Sequence, residues 1–235
     1  MKTFDAIIIG SGQGGTPLSK KLAKAGWKTA LVEKQFIGGT CVNYGCTPTK
    51  TMIASAKAAY AIANANSLGV ITSNYKVDIN AIIARKTKVV ESFRDGSRKG
   101  LEKTENLTLI FGTASFIEKK KLHIELKDGT TEIISADKIF IDVGARPSVP
   151  DIEGLEKVPY LDSTTIMELT EIPKHLLIVG GGYVGLEFGQ MYRRFGSEVT
   201  ILQHGERLLP KEDEDIAAVV TDFLKEEGIR IVTKA

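Results

Sequence analysis

Residues 6–10 read AIIIG, a short apolar, β-branched run of the kind that forms a buried strand. GSGQGG follows. TPLSKKLAKAG comes next, with Leu18, Leu22 and Ala25 at helical spacing, and then WKTALVEK, a second apolar stretch ending at Glu33. The predicted order is strand, tight turn, helix, strand. The same order returns later: LLIVGGGYVG, residues 176–185, leads into the helical segment LEFGQMYRRFG and the strand SEVTILQ. One constant offset carries Gly10 to Gly180, Gly26 to Gly196 and Glu33 to Gln203.

The region between the two copies has other periods. TMIASAKAAYAIANANSLGV, after Lys50, reads as an Ala-rich helix. Residues 78–103 read as a second helix, with Ile79, Ile82, Ile83, Val89, Val90 and Phe93 forming its apolar face. The short segments LTLIFGTASFI, KLHIEL, TEIIS and KIFIDVG then predict strands, with a hairpin at Asp128-Gly129. GARPSVPDIEG, rich in Pro and Gly, reads as a crossover between domains. The expected fold is α/β, with two Rossmann-like, three-layer dinucleotide-binding domains. The first, residues 1–150, carries a helical insertion and a small β-meander. The second, residues 151–235, is incomplete at its C-terminal end.

Gly10, Gly12 and Gly15 stand in G-x-G-x-x-G spacing, as do Gly180, Gly182 and Gly185. In such a turn the first glycine permits the bend and the second lets a pyrophosphate approach the backbone. The third lets helix and strand pack closely, and the helix N-terminus offers N–H donors to the phosphates. One such motif is weak evidence; two in register, each between strand and helix, argue for two nucleotide-binding units. Glu33 stands where a carboxylate can accept hydrogen bonds from a ribose.

Charge narrows the partners. With 31 basic and 29 acidic residues and no basic stripe, nothing asks for nucleic acid or an anionic membrane surface. No apolar run approaches the length of a membrane-spanning helix, and MKTFDAIIIGSG is too short in apolar residues for a signal sequence, so a cytoplasmic location is expected. In that compartment a purely structural disulfide is uncommon. This bears on the only two cysteines, Cys41 and Cys46, in GGTCVNYGCTPTK. They could be buried thiols, metal ligands or a redox pair. Zinc needs further ligands, and the three histidines lie far off in sequence, so no resident metal is expected. The redox reading draws support from the adjacent nucleotide turn and from a helix start after Cys46, which would lower a thiol's pKa.

GGTCVNYGCTPTK resembles the active-site segment of the flavin-dependent pyridine nucleotide-disulfide oxidoreductases. GSGQGG with Glu33, IFIDVGARP and GGGYVGLE extend the resemblance over essentially the whole chain, and GSGQGGTPL, GCTPTK and STTIMEL are most similar to the mercuric-reductase-like branch. The resemblance implies FAD in the first unit, held by the first glycine turn with Glu33, Lys34, Gly39, Thr40 and Gly144. It implies NADPH or NADH in the second, held by the second turn with Gln203 and Arg207. Cys41 would be the interchange thiol that meets the substrate, and Cys46 would lie against the flavin in a thiolate-to-flavin charge-transfer state. Lys50 would approach the flavin N5 edge and pair with Glu187. Tyr183 would cover the nicotinamide side and move aside for the dinucleotide.

Three departures stand out. Asp142 and Val143 replace small residues of the family pattern. Gln203 replaces an acid at the second ribose position, which removes repulsion toward a 2′-phosphate, with His204 and Arg207 close by in sequence. The chain also stops at GIRIVTKA, before the returning FAD segment and the dimerisation domain that the family pattern would supply; a family homodimer is expected, without that domain here. The expected activity is electron transfer from NAD(P)H through flavin and the Cys41–Cys46 disulfide to a small-molecule or metal-ion acceptor. Mercuric ion is the first candidate; lipoamide or another disulfide is the second. A truncated nucleotide-binding module or redox sensor without turnover is the alternative of another class.

Overall fold

The computed structural model describes residues 1–235, and these form two compact units. The first comprises residues 1–48 and 87–164, the second residues 49–86 and 165–235. Residues 49–86, which the sequence pattern attaches to the first domain, thus pack with the C-terminal part. Met52, Ala56 and Ile79 share one apolar cluster with Leu186, Tyr192 and Ile201, and burying that surface sets the grouping.

In the first unit, β1 (Lys2–Ile9), β2 (Thr29–Glu33), β3 (Leu107–Glu118), β4 (Lys121–Leu126) and β5 (Thr131–Ile141) close into a barrel in that order. β1, β2, β5 and the first half of β3 pair in parallel, while β4 runs antiparallel to β3 and β5. The expected meander is β3, β4 and β5, consecutive antiparallel neighbours within the barrel. TEIIS and KIFIDVG form one continuous strand, β5, whose residues Ile134 and Ser135 pair with both β1 and β4. β3 passes from β2 to β4 at Gly112, where a Cβ would stand 2.6 Å from the carbonyl oxygen of Glu125. β1 is buried on both faces: Ile7 lies in the cluster with Val32, Leu122 and Ile134, and Ala6 and Ile8 lie in the cluster with Leu31, Ile37 and Leu101. A parallel strand covered on both sides reads as a continuous apolar run, which is why AIIIG was legible.

Helix α1 (Gly15–Lys24) buries Gly15, Ser19 and Ala23, a stripe of small residues, rather than the expected line through Leu18, Leu22 and Ala25. Leu18 and Leu22 flank the cluster, and Ala25 lies past the helix end and is exposed. Helix α2 (Gly39–Asn43) is short, and α3 (Cys46–Ala63) starts at Cys46, earlier than the Ala-rich pattern suggests. Helix α4 spans Ile79–Glu102. Phe93, expected on its apolar face, is 59% exposed, whereas Lys86 is 4% exposed. Lys86 Nζ donates to the carbonyl of Met167 and pairs with Glu168, which offsets the cost of burying the cation.

The second unit holds a parallel sheet, β6 (His175–Val179), β7 (Glu198–Gln203) and β8 (Arg230–Thr233), with α5 (Tyr183–Phe195) and α6 (Glu214–Glu226) in the crossovers. Tyr192 is fully buried. Its hydroxyl donates to the carbonyl of Ile166 at 2.6 Å, and burial pushes its pKa up to about 12. No helix is long and apolar enough to cross a membrane.

Candidate active site

The two glycine turns are built alike. Gly10 has φ +103° and Gly180 has φ +108°. A Cβ on Gly15 would stand 2.0 Å from the oxygen of Gly10, and one on Gly185 would stand 2.3 Å from the oxygen of Gly180. No side chain fits at either third position, so each helix starts hard against its own turn. The residue after the first glycine donates its amide to the end of the second strand in both units. Ser11 N–H donates to Glu33 Oε2 at 3.0 Å, and Gly181 N–H donates to Gln203 Oε1 at 2.8 Å. Glu33 is buried and also accepts from the Ser11 hydroxyl (2.5 Å) and from Gln35 N–H (2.7 Å). Its carboxylate therefore braces the turn, a role that ribose recognition alone did not suggest.

The cradles differ in charge. In the second, a Cβ at Gly182 would meet nothing within 4 Å. In the first, the Asp142 carboxylate lies among the glycines, accepting from Gly15 N–H at 2.5 Å and reaching within 3.0 Å of a Cβ placed on Gly14. An anion at a helix N-terminus is favourable, and here the protein supplies its own.

The cysteine segment is tied to the first turn. Gly38 N–H donates to the oxygen of Ser11 at 3.1 Å, and a Cβ on Gly39, at φ +60°, would stand 2.6 Å from Gly12 Cα. Cys41 is half-buried and Cys46 exposed; both are free thiols. Burial first, and then the neighbouring Cys46, push the Cys41 thiol above its ordinary range. The folded state therefore holds this proton more tightly than the unfolded chain. The group favours the folded, reduced protein below the ordinary thiol pKa, and that contribution is lost as pH rises through the raised value. Iodoacetamide labelling of reduced Cys41, followed by mass spectrometry, should accelerate with pH and reach its half-point above that of an unstructured cysteine peptide. A half-point at or below the peptide's contradicts this environment.

Lys34 and Thr40 are exposed, and Gly144 adopts φ +69° with open space around it. In the second unit, Lys50 on α3 and Glu187 on α5 form an ion pair, with 60% and 39% of their side chains exposed. Tyr183, 62% exposed, donates its hydroxyl to Glu212, and that bond raises the phenol's pKa. Arg207 is engaged: its guanidinium pairs with Glu214 at 2.5 Å and donates to the carbonyls of Pro210 and Glu212. The Gln203 amide nitrogen lies 3.1 Å from a Cβ placed on Gly205, and His204 faces the oxygen of Ala235 at 3.4 Å. No group of three or more His, Cys, Asp or Glu side chains could hold a metal. Sequence reasoning missed Glu212, Glu214 and the bracing role of Glu33, because each contact joins residues that no shared period or motif links.

Comparison with known proteins places this geometry. A family model described as pyridine nucleotide-disulphide oxidoreductase matches residues 4–235. The pyridine nucleotide-disulfide oxidoreductase RclA of Escherichia coli is 39% identical over 100% of this chain and 50% of its own length. A mercuric reductase of Lysinibacillus sphaericus is 38% identical over 99% of this chain and 42% of its own, and a dihydrolipoyl dehydrogenase of Chlamydia muridarum is 34% identical over 100% and 50%. A solved Cu(II) complex of the E. coli flavoprotein disulfide reductase RclA superposes with a TM-score of 0.86 at 38% identity, again covering 100% of this chain and 50% of that one. The chain spans about half the length of these relatives, and it belongs to the pyridine nucleotide-disulphide oxidoreductase family.

Proposed function

We propose that the chain carries the nucleotide-binding and dithiol part of an FAD-dependent enzyme that moves an electron pair from NAD(P)H to the Cys41–Cys46 disulfide and on to an acceptor. The observation that carries this reading is the seating of the cysteine segment on the first glycine turn, through Gly38, Gly39, Ser11 and Gly12. FAD, when bound, supplies the relay between nicotinamide and disulfide. The turn at Gly10, Gly12 and Gly15, with Glu33, Lys34, Gly39, Thr40 and Gly144, would hold it. The turn at Gly180, Gly182 and Gly185, with Gln203 and Arg207, would hold the nicotinamide dinucleotide. Cys41 meets the acceptor and Cys46 faces the flavin. Lys50, steadied by Glu187, supplies positive charge at the flavin, and Tyr183 leaves Glu212 to admit the dinucleotide. The disulfide takes up two electrons and two protons to give two thiols. These return to the disulfide as the acceptor takes the two electrons and the protons are released.

A soft, thiophilic metal ion is the first candidate acceptor. Cys41 and Cys46 suit such an ion, because thiolates are soft ligands. Mercuric reductases among the relatives support mercuric ion. Dihydrolipoyl dehydrogenases at 34% identity support a disulfide as the second reading. The test is to load the chain with FAD, add NADPH, alkylate, and count labelled cysteines. With the pair first oxidised by diamide and the excess oxidant removed, the expected count rises from none before NADPH to two after it, at Cys41 and Cys46. Two blocked thiols that NADPH never opens, with both nucleotides bound, would leave a nucleotide-binding module without turnover.

Asp142 bears on cofactor affinity. Its charge stands where the pyrophosphate would be received, and like charges a few ångströms apart repel. Asp142→Asn keeps an acceptor for Gly15 N–H and removes the charge, so FAD binding should tighten roughly tenfold or more, measured by flavin fluorescence quenching. Unchanged or weaker binding would show that Asp142 does not oppose the cofactor.

In the second unit Gln203 removes the carboxylate that repels a 2′-phosphate, and Arg207 can exchange Glu214 for that phosphate. Gln203→Glu should lower the ratio of NADPH to NADH affinity about tenfold or more in calorimetry. A ratio that stays put removes Gln203 from the selection.

A further inference from the structure

We propose that Arg94 is a positioning residue for the dithiol: through Asn43 and Phe36 it fixes the segment that sets the separation of Cys41 and Cys46. The inference rests on the redox reading of those thiols. Asn43 lies between the two cysteines and is 7% exposed. Its amide nitrogen donates to the carbonyls of Ile37 (3.0 Å) and Gly39 (2.9 Å), and its oxygen accepts from Arg94 Nε at 2.8 Å. The first two bonds fold the segment on itself; the third anchors it to α4. A buried amide oxygen needs a donor, and Arg94 supplies it. The Arg94 guanidinium also lies over the Phe36 ring, 4.0 Å from its centroid, and that ring is tilted against Tyr44 at 6.5 Å. Arg94 thus grips the segment at Phe36, ahead of Cys41, and again at Asn43. A planar cation that donates from its edge while stacking by its face can do both at once; an ammonium cannot.

Closing a disulfide demands Cβ atoms about 3.5–4.5 Å apart. A segment released from Arg94 samples that geometry less often, so the effective concentration of one thiol at the other falls. In the closing step Cys41 and Cys46 each lose a proton, two electrons pass to glutathione disulfide, one S–S bond forms in the protein, and two molecules of glutathione are released.

The test uses the full chain equilibrated in glutathione redox buffers, then alkylated and analysed by mass spectrometry. Arg94→Met should make the disulfide about tenfold easier to reduce, ~30 mV in potential for this two-electron couple. Arg94→Gln, which can still donate to Asn43 but cannot stack as a cation, should fall between Arg94→Met and wild type, and it decides the matter if the methionine variant does not fold. Arg98→Met is the control. Arg98 lies on the same helix over Phe111 and pairs with Glu102, away from Asn43, so the potential should stay at the wild-type value. Wild-type potentials in the folded Arg94 variants, or an equal shift from Arg98→Met, overturn the assignment. If the wild-type pair never closes across the buffer range, the redox reading itself fails and Arg94's role falls with it.

Discussion

Arg194→Met destabilises the second unit by about 3–5 kcal/mol. Arg194 on α5 and Glu227 at the end of α6 meet in a two-point pair, Nη2 to Oε1 at 2.6 Å and Nε to Oε2 at 2.9 Å, with side chains only 9% and 4% exposed. Gln190 adds a bond to the same carboxylate, Arg193 holds the backbone oxygen of Glu227, and the Arg194 guanidinium lies 4.3 Å from the Tyr60 ring centroid. Methionine keeps the volume but leaves a buried carboxylate facing one neutral donor. The double variant Arg194→Met with Glu227→Leu should recover most of the loss, because an apolar pair replaces the ions at little net cost. Amide exchange in α5 and β7 during urea titration reads both. A single-variant loss below about 1 kcal/mol would show the pair to be solvated in solution.

Gly10→Ala should cost the first unit about 2–5 kcal/mol. The backbone conformation alone, φ +103°, costs an alanine about 1–2 kcal/mol. The new Cβ would also stand 2.1 Å from the carbonyl oxygen of Asp142, an overpacking worth about 1–3 kcal/mol. Neither backbone can retreat, since Gly10 N–H is bonded to Val32 and Asp142 N–H to Ile9, both at 2.8 Å. Gly26→Ala supplies the comparison: φ is +89° but no atom lies within 4 Å, so only the conformational cost of about 1–2 kcal/mol applies. Trp27, the sole tryptophan, packs against the apolar cluster of the first unit and reports its unfolding by fluorescence. Equal losses at positions 10 and 26 would refute the contact.

The strands and helices of the two repeats were legible because their residues obey local rules. AIIIG and LLIVG are apolar runs ending in turns that need glycine, and Gly26 and Gly196 both end helices at positive φ. The cysteine segment was legible as a resemblance, and the Lys50–Glu187 contact is present. What the sequence concealed depends on distant partners. The exposure of Phe93 and the burial of Lys86 follow from what α4 meets, not from its period. The helix Glu214–Glu226 went unread although its first turn is acidic and its apolar residues recur at helical spacing. Asp142 was legible only as an unusual residue; its place among glycines more than a hundred positions earlier is a product of the β1–β5 pairing.

Glu33 and Gln203 meet the same demand of their turns with different chemistry, since either side chain offers one oxygen to the waiting amide. The second atom of each head group is released from that duty: Glu33 Oε1 accepts from Gln35, while the Gln203 nitrogen remains a donor beside Gly205. One atom of each head group is thereby committed to the turn and the other is left for a different contact. A single-base exchange between the two amino acids changes the charge at the strand end and keeps the oxygen that braces the turn, so the turn beneath stays folded whichever of the two residues stands there.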